Sequence, residues 1–512
     1  MRVLSLAILL LCSGTSPAQD APLAKKLEAL IDGPDYKQAS WGVLVTDART
    51  GAEVYARNAD KLFTPASVTK LYSCAAALIT LGPDHTVTTR VVRKGDTKDG
   101  ILRGDLVLIA AGDLTMGGRT GKDGRVLFRN SDHIYANFSG EAYLTDSNPL
   151  AGIESLAKQI AEKGIKEVTG EVLVDDRLFD RAFGSGSGPD AISPILVNDN
   201  LVDVLVTPGK TVGDPATVKL IPETEFLKAD IQVATGTKGS RAALALETID
   251  AHRFRVRGSI PVDSPPRLRI YGVADPAGFA RGLFIEALRR AGVRVNAHVF
   301  KPAKPDLPES LETLETVATF ESAKFRDEIL VTLKVSHNLY AGTLPCLVAV
   351  KNGKRTAAAG LREQGKILKE LGVDSPTISF GGGAGGAWAD CVTPRTTVAL
   401  LAAMRKRPEW DAYKAALPIL GVDGTLAEVV PKDSPARGKV FAKTGTLSYD
   451  DNLNGRTLLR SKALAGVMTT ANGTELNLAM FVNNVPLPAG VTATREGKML
   501  GKLCEVLYEH GP

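Results

Sequence analysis

Thr64-Pro65-Ala66-Ser67-Val68-Thr69-Lys70-Leu71-Tyr72-Ser73-Cys74-Ala75-Ala76-Ala77-Leu78 is the stretch on which the fold of this chain turns. Thr64-Pro65-Ala66 is a helix-start signal, and the run from Leu71 to Leu81 is largely apolar, so the pattern predicts a buried helix with Ser67 at its N-terminus. Free backbone N–H groups and the helix dipole at that end favour developing negative charge. Ser67 and Lys70 are three residues apart, which puts them one turn apart on one helix face. A serine hydroxyl is a weak nucleophile until a neighbouring base takes its proton, and the Lys70 amine lies within reach. The lysine must be neutral to do this. Burial, or a second cation such as Lys443, favours that form.

Two further strings follow in order. Ser336-His337-Asn338 can aim Ser336 and Asn338 at one site from a short turn or from one face of an extended segment. Lys443-Thr444-Gly445-Thr446 reads as a strand end where a cation and hydroxyls hold a substrate carboxylate, with Gly445 permitting close backbone approach. The spacing S-x-x-K also occurs at Ser155-Leu156-Ala157-Lys158, inside an amphipathic helix pattern from Gly152 to Ala161 with no turn signal before it. That copy reads as a solvated helix face.

Working outward, Leu23–Ile31 is an amphipathic helix pattern, and Trp41–Asp47 and Ala52–Ala56 are strands joined by the turn Ala48-Arg49-Thr50-Gly51. This hairpin feeds the Ser67 helix. After about residue 90 the texture changes to short strands and many turns, with a helix near Ala277–Ala291 and a proline-rich, charged boundary at Lys301–Pro308. Helices then dominate (Phe325–Leu333, Leu339–Val350, Arg355–Leu371, Thr396–Arg405). Strands follow at Lys439–Ala442, Lys462–Thr470 and Leu476–Asn483, with a last helix at Glu496–Tyr508. Ser67 and Ser336 are 269 residues apart. The expectation is an α+β catalytic domain, an antiparallel sheet covered by helices, split by a large strand-rich insertion.

Composition narrows the class. Met1-Arg2, the apolar stretch Val3–Leu11 and the small residues through Ser16-Pro17-Ala18 form a secretory signal pattern, with cleavage expected after Ala18. No later stretch approaches the ~20 apolar residues that span a bilayer. The 62 Lys+Arg against 57 Asp+Glu form no arginine-rich block, so nucleic-acid binding is not indicated. Cys74, Cys346, Cys391 and Cys504 have long spacings and no CxxC, and Cys74 in the apolar helix reads as a buried free thiol. The six histidines are scattered without HExxH, so no zinc site is expected.

The ordered strings resemble those of the class C low-molecular-mass penicillin-binding proteins, the D-alanyl-D-alanine carboxypeptidase/endopeptidase family. The resemblance is carried by Pro65–Leu71, Ser336–Ala341, Gly421-Val422-Asp423-Gly424-Thr425-Leu426 and Lys443–Leu447, and more loosely by Gly104–Leu108, Val197-Asn198-Asp199-Asn200 and Ala274–Ala277. It implies a penicillin-binding/β-lactamase-like catalytic domain at 19–92 and 308–512. A second domain would be inserted at 93–112 and 197–307, with a third, 113–196, nested in it. It further implies an exported serine DD-peptidase of the periplasm or cell envelope that acts on peptidoglycan stem peptides, is acylated by β-lactams and uses no metal or organic cofactor. By the same resemblance Ser67 is the nucleophile and Lys70 its base. Ser336 relays the proton to the departing D-alanine, and Asn338 binds the acyl-side amide or orients Lys70. Lys443 polarises Ser336, and Thr444 and Thr446 bind the carboxylate. The N–H groups of Ser67 and Thr446 form the oxyanion hole.

Two departures stand out. Where the family carries an Asp-Gly-Ser-Gly-Leu-Ser type segment, this chain has Gly381-Gly382-Gly383-Ala384-Gly385-Gly386-Ala387, and the middle of the second motif is His337 rather than aspartate. The glycine run is expected to loosen the loop beside the site and slow the turnover of a long peptide. It motivates the alternative of a non-catalytic β-lactam- or wall-binding homologue. As a G-x-G-x-x-G match it lacks a following helix and a βαβ unit. His337, between two inward-facing residues, is expected to point away from the site. Pro208-Gly209-Lys210-Thr211 is a turn.

Overall fold

The computed structural model describes residues 21–138, 140–302 and 307–512; the expected secretory signal lies outside them. The chain begins with α1 (Ala21–Ile31), the hairpin β1 (Ser40–Asp47) and β2 (Glu53–Arg57), and α2 (Thr69–Leu81). The inserted part holds β3 (Thr88–Lys98), β4 (Ile101–Ile109), α3 (Ala151–Glu162), β5 (Glu167–Val168), β6 (Val172–Asp175), β7 (Ala182–Phe183) and β8 (Ala191–Ile192). It continues through β9 (Leu201–Thr207), β10 (Thr217–Ile221), β11 (Lys228–Gly236), β12 (Ala243–Asp250), β13 (Arg253–Pro261) and β14 (Arg267–Gly272) to α4 (Pro276–Arg290), β15 (Arg294–Val295) and β16 (Glu315–Glu321). The chain then returns through α5 (Phe325–Lys334), α6 (Asn338–Lys351), α7 (Ala357–Glu370), α8 (Pro394–Met404) and α9 (Trp410–Ala415). Last come β17 (Val440–Asp451), β18 (Arg456–Thr469), β19 (Glu475–Pro486) and α10 (Thr494–His510).

The N-terminal hairpin joins the C-terminal strands in one antiparallel sheet of order β17-β18-β19-β1-β2. Its strands bury both faces. Successive side chains of a strand point to opposite faces, so Val43 and Val45 pack with α1 and α10, while Leu44 packs with the layer of α2, α5 and α6. In α2 every residue from Thr69 to Leu78 is buried, because the helix runs through the middle of that layer. β17 is an outer strand of the sheet, and the start of its outer edge pairs with the segment 418–420.

The inserted strands fall into several sheets. β5 and β6, both within 113–196, run parallel to β4 in a six-stranded sheet with β3, β15 and β16. The span Leu201–Gly272 instead forms two three-stranded sheets, β10-β9-β14 and β11-β13-β12. The six-stranded sheet draws on the chain from Thr88 to Glu321. Strand texture is local, whereas the choice of partner strand is made by long-range packing.

Candidate active site

Ser67 sits in the short 3₁₀ turn Ala66–Val68 that leads into α2. The helical turn carries Lys70 back over it, leaving Nζ 2.8 Å from Ser67 Oγ. Lys70 is fully buried, and Nζ also donates to Asn338 Oδ1 and to the Ala384 carbonyl, each at 2.7 Å. Burial brings its pKa down to about 7, opposed by the nearby Cys74 and Asp390. Its hydrogen-bond partners are all neutral oxygens, so the ammonium form has no bonded counter-ion to stabilise it.

Ser336 stands between α5 and α6 with a left-handed backbone, φ 63°, and its Oγ accepts a 2.9 Å hydrogen bond from Lys443 Nζ. Lys443 is buried too and donates to the Thr444 carbonyl at 2.8 Å. Burial, reinforced by the nearby Lys70 amine, holds its pKa well below the usual lysine range. His337 points away from the cleft, as expected. It caps α6 by accepting from Tyr340 N at 3.3 Å, and its ring stacks on Tyr340. Cys74 is buried and free.

β17 supplies the third wall. A Cβ on Gly445 would lie 2.4 Å from the Pro65 carbonyl, so glycine lets the strand close up against the Ser67 turn. Thr444 Oγ1 is bonded to Thr425 Oγ1 at 2.7 Å, and Thr446 Oγ1 accepts from Lys462 Nζ at 2.8 Å. Ser67, Tyr135, Ser336, Thr444, Thr446 and Lys462 line one cleft. Lys70, Asn338 and Lys443 are buried behind this lining and are tied to it through Ser67 and Ser336.

The glycine run does not leave its loop loose. Asp390, buried just after the run, accepts from Gly381 N at 2.8 Å and Ala387 N at 2.9 Å. Ser73 Oγ donates to the Gly383 carbonyl, and the Ala384 carbonyl holds Lys70. A Cβ on Gly385, where φ is +94°, would lie 1.9 Å from the Ala66 carbonyl, and one on Gly383 would lie 2.1 Å from that of Ala341. The glycines are thus demanded by close packing against the Ser67 turn and α6, which corrects the expectation of a loosened segment.

Sequence reasoning missed Lys462, Thr425, Tyr135 and Asp390. Lys462 faces Thr446 in the β17–β18 register, and burial lowers its pKa to about 8 against the pull of Glu496. That pairing is a tertiary fact with no local signature. Asp390 did carry a signal, as the one acid beside a run rich in free N–H groups. Among the described residues Asp132, Asp199 and His337 cluster closely enough to hold a cation, but the Arg119 guanidinium pairs with both carboxylates, at 2.7 and 2.6 Å, and takes that place.

Comparison with known proteins identifies the family. The model of the D-Ala-D-Ala carboxypeptidase 3 (S13) family matches residues 23–502. The chain is 29% identical to a D-alanyl-D-alanine carboxypeptidase of Actinomadura sp. (strain R39), covering 86% of this chain and 79% of that one. It is 24% identical to the D-alanyl-D-alanine carboxypeptidase DacB of Haemophilus influenzae, covering 83% and 81%. The crystal structure of penicillin binding protein 4 (dacB) from H. influenzae superposes with a TM-score of 0.72 at 20% identity, over 94% of this chain and 99% of that one. The same protein complexed with a β-lactam gives 0.70. The fold is that of a penicillin-binding protein, an α+β catalytic unit carrying a large insertion.

Proposed function

Because the chain belongs to the D-Ala-D-Ala carboxypeptidase 3 (S13) family, we propose that it cleaves D-alanyl peptide bonds of peptidoglycan stem peptides through an acyl-enzyme on Ser67, and that β-lactams acylate the same serine. The observation that carries this reading is the Lys70 amine. A neutral amine has two N–H donors and one lone pair. Around Lys70 Nζ stand two carbonyl acceptors, Asn338 Oδ1 and Ala384 O, and one hydroxyl, Ser67 Oγ. The two N–H groups satisfy the carbonyls and the lone pair faces the hydroxyl, an arrangement suited to removing its proton.

Ser67 Oγ attacks the carbonyl of the penultimate D-alanine as its proton passes to Lys70 Nζ. The resulting oxyanion lies against the N–H groups of Ser67 and Thr446, donors typically worth ~10²–10³ in rate each. As the C–N bond breaks, Ser336 Oγ gives its proton to the leaving amine and is reprotonated from Lys443 or Lys70. Thr444 and Thr446, with Lys462 behind the latter, hold the terminal carboxylate. Water then hydrolyses the ester, and the proton balance is restored. Penicillin binding protein 4 of H. influenzae, whose fold this chain shares, forms a complex with a β-lactam, which supports capture of these antibiotics by the same fold.

The leader at 1–18 would deliver the protein to the periplasm or cell envelope, where its substrate lies. No helix among the described residues is long and apolar enough to cross a membrane.

Incubation with a stem pentapeptide or a cross-linked dimer is expected to release D-alanine or separated stems, followed by mass spectrometry. A folded protein that neither releases product nor binds labelled penicillin covalently would point instead to the non-catalytic alternative. Acylation should also depend on pH through Lys70. Its neutral form is the base, so with a pKa of about 7 the second-order labelling rate should rise with pH to a plateau above 7. Well below 7 it should fall about tenfold per pH unit. A profile flat from pH 5 to 8 would remove Lys70 as the base.

A further inference from the structure

One turn of the inserted part, Asn130–Tyr135, reaches the catalytic unit at two points. Asn130 Oδ1 accepts a 2.8 Å hydrogen bond from Gly424 N, next to Thr425, whose hydroxyl holds Thr444. Tyr135 lines the cleft and donates its hydroxyl to the Ser336 carbonyl at 2.6 Å. His133, between them, lies 2.7 Å from both Asp199 Oδ2 and Asp203 Oδ1, and these two carboxylates hold its pKa well above the usual histidine range although burial opposes this. Asp199 Oδ2 in turn lies 3.2 Å from His337 Nε2, and the Tyr340 hydroxyl donates to Asp199 Oδ1. Arg119 binds Asp132 through both terminal nitrogens, at 2.7 and 2.9 Å, and Asp199 at 2.6 Å. All of these charged groups are buried.

This scaffold surrounds a serine whose backbone is unfavourable in isolation. Ser336 has φ 63°, in the left-handed region that L side chains resist, and such residues persist where their surroundings over-determine them. Lys443 holds the Ser336 hydroxyl from the catalytic unit, while the Ser336 carbonyl is held by Tyr135 of the insertion. We propose that the Asn130–Tyr135 turn, joined through Asp199 to His337, is a buttress that positions Ser336 and Thr444 for catalysis, so that the inserted part completes the active site. This rests on the DD-peptidase reading above. Tyr135 and Asn130 are positioning residues, acting through Ser336 and through the Gly424–Thr425 loop.

The role of Ser336 supplies the test. A departing amine needs a proton as the C–N bond breaks, whereas a thiolate leaves without one. Tyr135→Phe is therefore expected to lower kcat/KM about tenfold on a D-alanyl-D-alanine peptide but less than about threefold on a D-alanyl thioester whose thiolate carries the same carboxylate. Its melting temperature should match the wild type. An equal loss on both substrates, or no loss, overturns the proposal. Asn130→Ala provides a second reading should Tyr135→Phe not fold. By freeing Gly424 N it should raise KM several-fold for both substrates with kcat little changed, whereas a merely misfolded fraction lowers kcat and leaves KM alone. An unchanged KM counts against the buttress. A wild-type protein inactive on both substrates would overturn the DD-peptidase reading itself, and the buttress with it.

Discussion

Ser67→Ala is expected to abolish covalent labelling by penicillin, while Ser155→Ala leaves it intact. Both serines precede a lysine by three residues, but their surroundings separate them. Ser67 begins a buried helix, and its hydroxyl meets a desolvated amine whose pKa is about 7. Ser155 lies on α3, where its Oγ accepts from the Gln159 side chain, and Lys158 is exposed and pairs with Glu162 at 3.6 Å. Lys158 thus lacks the burial against a serine hydroxyl that sets Lys70 apart. Loss of a nucleophile that acts as one unit with its base costs on the order of 10⁴–10⁶ in rate, enough to remove any measurable adduct. Intact-mass measurement after incubation with penicillin decides the matter. A penicilloyl adduct persisting on the Ser67→Ala protein would sink the assignment.

Gly385→Ala should nearly eliminate acylation, whereas Gly382→Ala should be tolerated. The added methyl at 385 would lie 1.9 Å from the Ala66 carbonyl and 3.0 Å from Ser67 N, at a backbone φ of +94° that side chains rarely adopt. Relief requires moving either the Ser67 turn or the Ala384 carbonyl that orients Lys70. A displacement of about 1 Å at reacting groups can cost ~10² in rate. Gly382, in the same run, has nothing within 4 Å of its would-be Cβ. Parallel penicillin-labelling rates for the two variants, with melting temperatures as controls, separate a packing requirement from mere flexibility. Comparable rates in both would restore the reading of the run as a loose linker.

The three strings were legible because each needs particular residue types at fixed short spacing, and helix or strand periodicity then places them on one face. Ser67 and Lys70 needed only the rise of one helical turn. The hairpin Trp41–Ala56 was readable for the same reason, since alternation and a turn signal are local. The consequences of the glycine run were misread, because glycine is flexible in an isolated chain but compact wherever two backbones must touch. Only the position of Ala66 and Ala341 reveals which of these applies here. Strand pairing within the insertion was unreadable on similar grounds. β5 and β6 look like any short strands until β4 is seen to accept them in parallel.

The amino-acid sequence by itself determined the fold class and singled out the side chains of the three strings, because those follow from local periodicity, helix-start chemistry and motif order. Tertiary structure alone decided the electrostatics and the support of that cleft. Burial of Lys70 and Lys443 among neutral oxygens, the register that sets Lys462 opposite Thr446, and the reach of Asn130 and Tyr135 from the insertion to Gly424 and Ser336 all join residues far apart in the chain. Desolvation and charge coupling depend on distance in space, and no spacing along the sequence encodes that distance.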